Sequence, residues 1–153
     1  MFEAVKNNDT GKYELKLKAG AGDNFHGEHT VGFTRLSTAI GSDKTVTVNV
    51  SNKYTDAGGQ SHDVSREYGG GVTINQRDGN STVYVSPKGN PFELHGTEGQ
   101  TIKDPLNIIM GHETLGHGLE NMTGGDTSQH KAIEIENQLR QEQNKPERAQ
   151  DPE

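Results

Sequence analysis

Cysteine is absent from the sequence of 153 residues, and aromatic residues make up only 5% of it. Without cysteine the chain has no disulfide, no thiolate metal ligand and no cysteine nucleophile. Any transition-metal site must therefore be built from His, Asp and Glu side chains. Only 27% of the residues are hydrophobic and the mean hydropathy is -0.91, which predicts a small core.

Long apolar runs and an excess of positive charge are also missing. No run approaches the roughly 20 apolar residues that span a bilayer, and no signal peptide opens the chain. The net charge is -7, whereas nucleic-acid binding needs a basic surface. We therefore expect a soluble protein with neither membrane nor nucleic acid as partner. The length fits one domain, residues 1–153, which we expect to be the C-terminal part of a longer polypeptide.

The first two-thirds of the chain predict short strands and loops. Alternation of apolar and polar residues, or helical spacing, predicts strands at residues 13–18 and 44–50, a short helix at 33–40 and a long polar loop at 51–70. The clearest signal is a β-hairpin at about residues 71–86. Its two alternating strands flank an Asp-Gly turn at Asp78 and Gly79.

The last third of the chain predicts two helices. The first covers about residues 105–122, with Asp104 as the N-cap and Pro105 in the first helical position. The second covers about residues 128–143, and the polar chain beyond Asn144 is predicted to be frayed. Together these elements predict an α+β fold, in which the hairpin forms a small antiparallel sheet packed on the first helix.

The first helix carries the sequence His-Glu-Thr-Leu-Gly-His at residues 112–117. In H-E-x-x-H zinc hydrolases two histidines one turn apart bind the metal, and the glutamate acts as general base. Here the spacing is one residue longer, which leaves the two imidazoles roughly 140° apart on an ideal helix. A single-residue π-bulge would restore the one-turn relation, at lower cost because of Gly116. We predict one zinc ion bound by His112 and His117, with Glu113 as general base.

The alternative interpretation is that both histidines are ordinary helix residues, with His112 filling a place in the apolar stripe. The His-Glu pair, the second histidine, the adjacent glycines and an acid-containing helix downstream together favour the metal. The other histidines outside the second helix are expected at the surface: His26, His29, His62 and His95, of which the last could approach the site. Candidates for stabilising an oxyanion are Tyr84, His95 and Arg140.

Two residues of the second helix are candidates for the third zinc ligand. Glu136 lies inside the apolar stripe of this helix, whereas Glu134 faces away from it. A buried carboxylate needs a compensating partner, which zinc would provide. The alternative partner is Arg140, in an inward salt bridge. His130 is the rival ligand: it points away from the stripe, but it lies in the first turn, where helix geometry is loose.

The motif at residues 112–117 matches the H-E-x-x-G-H motif of the dipeptidyl peptidase III family of zinc peptidases. It is accompanied by a strand ending in Ser-Pro at residues 86–87, a glycine pair at 124–125 and the sequence Ala-Ile-Glu-Ile-Glu-Asn-Gln-Leu-Arg at 132–140. Over about residues 68–148 the chain therefore resembles the small metallopeptidase toxin domains of Rhs-type polymorphic toxins, which are related to effector zinc endopeptidases. Those domains often have an acidic residue about three positions before the alanine of this sequence, whereas this chain has Gln129 there.

The resemblance implies a zincin-like fold and a secreted or injected bacterial effector, which cleaves a protein of the target cell and is neutralised in the producing cell by a cognate immunity protein. It also implies one zinc ion per chain, with Glu113 passing a proton from water to the leaving amine. Two other hypotheses stay open. One is a non-catalytic binding module in which metal staples a poor core, and the other is a zinc hydrolase that acts on a non-peptide substrate.

Overall fold

The computed structural model describes residues 2–6, 13–17, 30–39 and 42–151. Within these ranges the chain is mixed α+β, as the sequence predicts, with small sheets beside helices. His26 and His29 lie outside the described residues. In the described ranges no helix is both long and apolar enough to cross a membrane.

The largest described sheet has three strands. β6 (Gly71–Asn75) and β7 (Ser81–Val85) pair antiparallel, which confirms the predicted hairpin, and Gly79 occupies its turn at φ +87°. β3 (Val46–Val50) pairs in parallel with β7 and covers the expected strand apart from its first two residues. β6 is therefore an edge strand of this sheet.

Three two-stranded sheets accompany it among the described residues. The strands are β1 (Phe2–Lys6) with β2 (Tyr13–Leu17), β4 (Lys53–Thr55) with β5 (Ser61–Asp63), and β8 (Leu94–His95) with β9 (Thr101–Ile102). The expectation of a long loop at residues 51–70 was wrong, because this stretch forms β4, β5 and the short helix α2 (Val64–Tyr68). Asp63 caps α2 by accepting a hydrogen bond from the Arg66 amide.

The helices follow the predicted order. α1 (Val31–Ala39) begins two residues before the predicted helix, and Ile40 lies outside the described residues. The predicted long helix is present as α3 (Leu106–Gly111), a π-helical segment (His112–Gly118) and α4 (Leu119–Thr123). The predicted second helix is α5 (Gln129–Glu142), capped by the Ser128 hydroxyl.

Asp104 does not cap α3, contrary to the prediction. Pro105 is the N-cap residue, and no side chain caps the helix. The Asp104 carboxylate instead accepts a hydrogen bond from Nη2 of Arg140 at 3.1 Å. Asp104 therefore offsets the positive charge of a buried guanidinium on α5. It leaves the first turn of α3 without a side-chain cap.

Two apolar clusters hold the helix that carries residues 112–117 in place. One joins it to α5 through Ile108, Leu115, Leu119, Ile135 and Leu139, and the other joins it to the sheet through Val83, Val85 and Ile109. Gly116 permits the first contact, because a methyl group there would lie 2.8 Å from Cα and Cβ of Ala132. The core is small, as the composition predicts, and the hairpin packs on the helix.

The segment after α5 is not frayed, contrary to the expectation beyond Asn144. The amides of Thr97 and Ala149 donate to the carbonyls of Glu147 and His95, and Gly96 and Arg148 form an antiparallel bridge. Asn137 on α5 also exchanges two hydrogen bonds with the Arg148 backbone. These bonds fix the segment across α5 and β8. Its polar sequence concealed this order, because the contacts are made by the backbone.

Candidate functional site

The helix widens at the histidine motif, as convergence of the two imidazoles requires. The π-helical segment spans the whole motif, and the Leu119 amide donates to the carbonyl of Thr114, five residues earlier. The predicted local widening is therefore confirmed, although it extends over His112–Gly118 rather than one bulged residue. π-Helical segments are rare and are frequently found at functional sites.

The widening brings the two histidine side chains together. The ring centroids of His112 and His117 lie 5.1 Å apart, with 71° between the ring planes. His112 is buried and His117 is half-buried, and both line one cleft. Five residues of separation thus act as one helical turn here, and both imidazoles lie on the same side of the helix.

Each imidazole is held through Nδ1. Nδ1 of His112 lies 2.9 Å from Oε2 of Glu136, and Nδ1 of His117 lies 2.9 Å from the carbonyl oxygen of Thr127. A carbonyl only accepts, so Nδ1 of His117 carries the proton, and the carboxylate favours the same tautomer in His112. No group in the described part of the chain hydrogen-bonds to either Nε2. Histidines that bind metals in proteins are oriented in this way.

Glu113 lies between the histidine pair and the sheet. Its Oε2 accepts a hydrogen bond of 2.7 Å from Oγ1 of Thr73 on β6, and the residue is only 7% exposed. The approach of the two elements depends on Gly71, since a methyl group there would lie 2.6 Å from Cγ of Glu113 and 2.7 Å from Cγ2 of Ile109. The edge strand therefore fixes this carboxylate at the wall of the cleft.

Glu136 is fully buried, as its place in the apolar stripe predicts. Its Oε1 accepts a hydrogen bond of 2.6 Å from Nε of Arg140, and its Oε2 lies 3.3 Å from Nη1 of Arg148. The inward salt bridge with Arg140, which the sequence left open as an alternative, is thus present. Since Oε2 also contacts Nδ1 of His112, the carboxylate lies behind that imidazole, on the side away from Nε2.

Charge in this network keeps the Glu136 carboxylate ionised despite its burial. Desolvation raises the pKa of Glu136, but the hydrogen bond from His112 and the charges of His112, Arg148 and Arg140 outweigh it, so the pKa is lowered. Burial likewise opposes protonation of His112, yet Glu136 and Glu113 raise its pKa. The result is a pre-ordered imidazole–carboxylate pair backed by two guanidinium groups.

The other candidate residues lie away from the pair. His130 is a surface residue, its side chain 67% exposed and its Nδ1 3.5 Å from Glu134. The three oxyanion candidates are not among the residues that line the cleft: Tyr84, His95 and Arg140. Across the described ranges, no group of three His, Asp or Glu side chains is already arranged to hold a metal ion. Of the residues predicted to bind zinc, His112 and His117 are the two whose side chains meet at the cleft.

The cleft in front of the histidines has a volume of about 540 Å³. Besides the motif, it is lined by residues that sequence reasoning did not single out as part of a site: Tyr68 of α2, Thr73 of β6, Thr127 and Arg148. Each comes from a different segment, so no spacing in the sequence links it to the motif. The Asp63 cap orders α2, which contains Tyr68. The hydrogen bonds of Asn137 fix the last segment, which contains Arg148.

Comparison of the chain with models of known protein families, with curated proteins and with solved structures finds no match.

Proposed function

We propose that this chain is a zinc-dependent endopeptidase, with zinc held by His112 and His117 and Glu113 as general base. One observation carries the proposal: two imidazoles meet beside a cleft, each with Nδ1 bonded to an acceptor and Nε2 left unengaged. Neutral imidazole nitrogens so arranged suit zinc. The hairpin packed on this helix also fits a zincin-like fold.

The roles of the protein groups follow from their contacts. A bound zinc ion supplies Lewis-acid activation of water and of the scissile carbonyl. Glu113, adjacent to His112 in sequence and open to the cleft, takes a proton from the attacking water and returns it to the leaving amine. Thr73 holds Oε2 of this carboxylate through a hydrogen bond of 2.7 Å, so its orientation is set before substrate arrives.

Glu136 is best suited to orienting His112. Its carboxylate accepts a hydrogen bond from Nδ1 of that histidine. Its two oxygens also accept hydrogen bonds from Arg140 and Arg148. A carboxylate–histidine–zinc arrangement uses the acid in this way, behind the ligand. Direct ligation by Glu136 requires a rearrangement of these contacts, and ligation by His130 requires its exposed side chain to turn from Glu134 toward the pair. Glu136 and His130 remain the two candidates that the sequence predicts for the third ligand.

A peptide is the substrate that the cleft fits. β6 is one of the two edge strands of the three-stranded sheet, and Gly71, Val72, Thr73 and Asn75 from this strand line the cleft. An extended peptide can pair with the free edge of such a strand through main-chain hydrogen bonds. The scissile bond would then pass in front of His112, His117 and Glu113, because Thr73 contacts Glu113 directly.

The resemblance to Rhs-type toxin domains leads us to propose the biological setting. The protein is a secreted or injected bacterial effector, its substrate is a protein of the target cell, and the producing cell holds a cognate immunity protein. A toxin that is active in the cytosol of the target cell must be blocked in the cell that makes it. The acidic net charge of -7 is consistent with a protein partner rather than nucleic acid.

Expression in a bacterium of the wild type and of Glu113→Gln tests this function. We expect the wild type to be toxic and to generate new protein N-termini in the proteome. The Glu113→Gln protein should bind about one zinc per chain but generate none, because the glutamate acts on water and is not a ligand. Metal content is measured on the purified proteins.

Glu134→Gln is the matched control, because it makes the same change of charge on the surface of α5, where Glu134 pairs with Lys131. It should behave as the wild type. Cleavage by Glu113→Gln at the wild-type rate would contradict the proposed base. Toxicity without new N-termini would favour a non-peptide substrate, and stabilisation by zinc with no activity of any kind would favour a metal-stapled binding module.

A further inference from the structure

One corner of the cleft contains donors that the proposed chemistry does not use. Nη2 of Arg148 donates to both carboxylate oxygens of Asp151, at 3.1 and 2.9 Å, and Nε2 of Gln129 donates to Oδ2 at 3.3 Å. Arg148 and Gln129 both line the cleft. A guanidinium and a side-chain amide therefore converge on one carboxylate group at its edge.

The arginine is fixed, whereas the carboxylate is exposed. The Arg148 side chain is 12% exposed and its Nη1 contacts Glu136. The Asn137 side chain forms hydrogen bonds with both the backbone amide and the carbonyl of Arg148. The Asp151 side chain is 52% exposed. An exposed ion pair contributes little stability, so the carboxylate exchanges readily while its donors stay in position. A preformed site with a weakly held occupant is open to competition.

Electrostatics distinguish this corner from the rest of the cleft. Among the cleft residues in the described ranges, Arg148 is the only lysine or arginine, whereas Glu67, Asp104 and Glu113 are acidic. An acidic side chain of a bound peptide would be repelled elsewhere in the cleft and attracted here. Arginine also presents paired N–H groups that match a carboxylate in geometry.

We propose that Arg148 and Gln129 form a subsite for an Asp or Glu side chain of the substrate peptide, and that Asp151 of the same chain occupies it as a competitor. The subsite deepens the proposed peptidase function and rests on it. Substrates would then carry an acid at one fixed position relative to the scissile bond. Removing Asp151 would free the donors for substrate.

Binding of a capped tripeptide, acetyl-Ala-Glu-Ala-amide, tests the subsite without catalysis, with the glutamine analogue for comparison. The full chain carries Glu113→Gln, so that nothing is cleaved, and NMR follows the side-chain N–H signals of Arg148 and Gln129. With Asp151→Ala added, we expect the glutamate peptide to shift both signals and to bind about three- to ten-fold tighter than without it. The glutamine peptide should shift neither.

Three variants serve as controls. Gln129→Ala, at an exposed position, should weaken binding of the glutamate peptide about three-fold, and Arg148→Gln should remove it. Glu147→Gln removes one negative charge from the same segment, as Asp151→Ala does. Because Glu147 contacts Gln141 and does not line the cleft, peptide affinity should stay unchanged in this variant. Equal shifts by both peptides, or equal gains in Asp151→Ala and Glu147→Gln, would overturn the subsite.

Cleavage of a random peptide library separates this proposal from the proposed function. The wild type should prefer substrates with Asp or Glu at one position, and Asp151→Ala should raise kcat/KM for them. Cleavage without acidic preference would overturn the subsite alone. Binding of the glutamate peptide at Arg148 in a protein that cleaves nothing would overturn the peptidase and leave a carboxylate-binding site.

Discussion

Two regions of the molecule place histidines beside acidic side chains and use the imidazole ring differently. Both ring nitrogens of His62 contact carboxylates, Nδ1 at 2.8 Å from Glu67 and Nε2 at 3.1 Å from Asp56. His112 and His117 bond through Nδ1 alone. Since a metal needs a nitrogen lone pair, only this second arrangement offers a ligand. The number of occupied ring nitrogens, more than burial, distinguishes a structural histidine from a candidate ligand.

The His62 region is held together by stacked rings and side-chain hydrogen bonds and not by an apolar core. Tyr54 stacks on His62 with centroids 4.9 Å apart, and its hydroxyl lies 3.0 Å from that of Tyr68. This hydrogen bond, together with burial, raises the pKa of Tyr54 to about 12. Hydrogen bonds to Glu67 and Asp56 raise the pKa of His62. The group stabilises β4, β5 and α2, and Glu67 and Tyr68 at the end of α2 line the cleft.

Exchange of a histidine for alanine in each region should give the largest difference. His112→Ala and His117→Ala each remove an unengaged Nε2, so zinc affinity should fall more than about 100-fold, beyond the effect typical of residues that only support a ligand. His62→Ala removes no available lone pair and should retain zinc affinity while lowering the melting temperature. Isothermal titration with zinc and thermal unfolding of the three proteins measure both quantities. Equal zinc affinity in all three would contradict the proposed metal site.

Glu136→Gln should sharpen the comparison at the carboxylate behind His112. Glutamine can still accept from Nδ1, but it lacks the charge that favours this contact. We expect zinc affinity to fall about 10- to 100-fold, as for other groups that orient a ligand. His130→Ala, at an exposed residue, should leave it unchanged. A loss as large as in His112→Ala would instead make Glu136 the third ligand, and a loss in His130→Ala would give that role to His130.

Much of the site could be predicted from local sequence. Convergence of His112 and His117 requires a widened helix, and the apolar stripe of α5 predicts that Glu136 is buried, because both follow from helix geometry. The hairpin follows from its alternation and its Asp-Gly turn. In each case one segment contains the whole pattern. What these side chains contact depended on how the segments pack.

The His62 region could not be predicted for the same reason. Residues 51–70 are polar and glycine-rich, and their order comes from side-chain pairs such as His62 with Asp56 and Glu67, which no periodicity encodes. The segment that contains Arg148 depends on backbone hydrogen bonds to β8 and on the Asn137 side chain. Sequence patterns report apolar burial, and both segments are held by polar contacts.

The smallest expected effect is the pH dependence of the His62 region. The folded-state pKa of His62 is raised, so its contribution to stability is fully present below the unfolded-state pKa of about 6.5 and is lost as the pH rises through the folded-state value. We therefore expect the difference in the free energy of unfolding between wild type and His62→Gln to shrink from about pH 6 to about pH 9. Urea unfolding with a chelator present measures it.

The difference between the two proteins isolates this group from His112, whose pKa is also raised but which both proteins retain. Tyr54 and Tyr68, which also face His62, are common to both proteins. The acidic partners Asp56 and Glu67 have lowered pKa values and stay ionised across this range, so they add no slope. A difference that stays constant or grows as the pH rises would mean that His62 is not held protonated by its two carboxylates. The contrast with His112 and His117 would then rest on geometry alone.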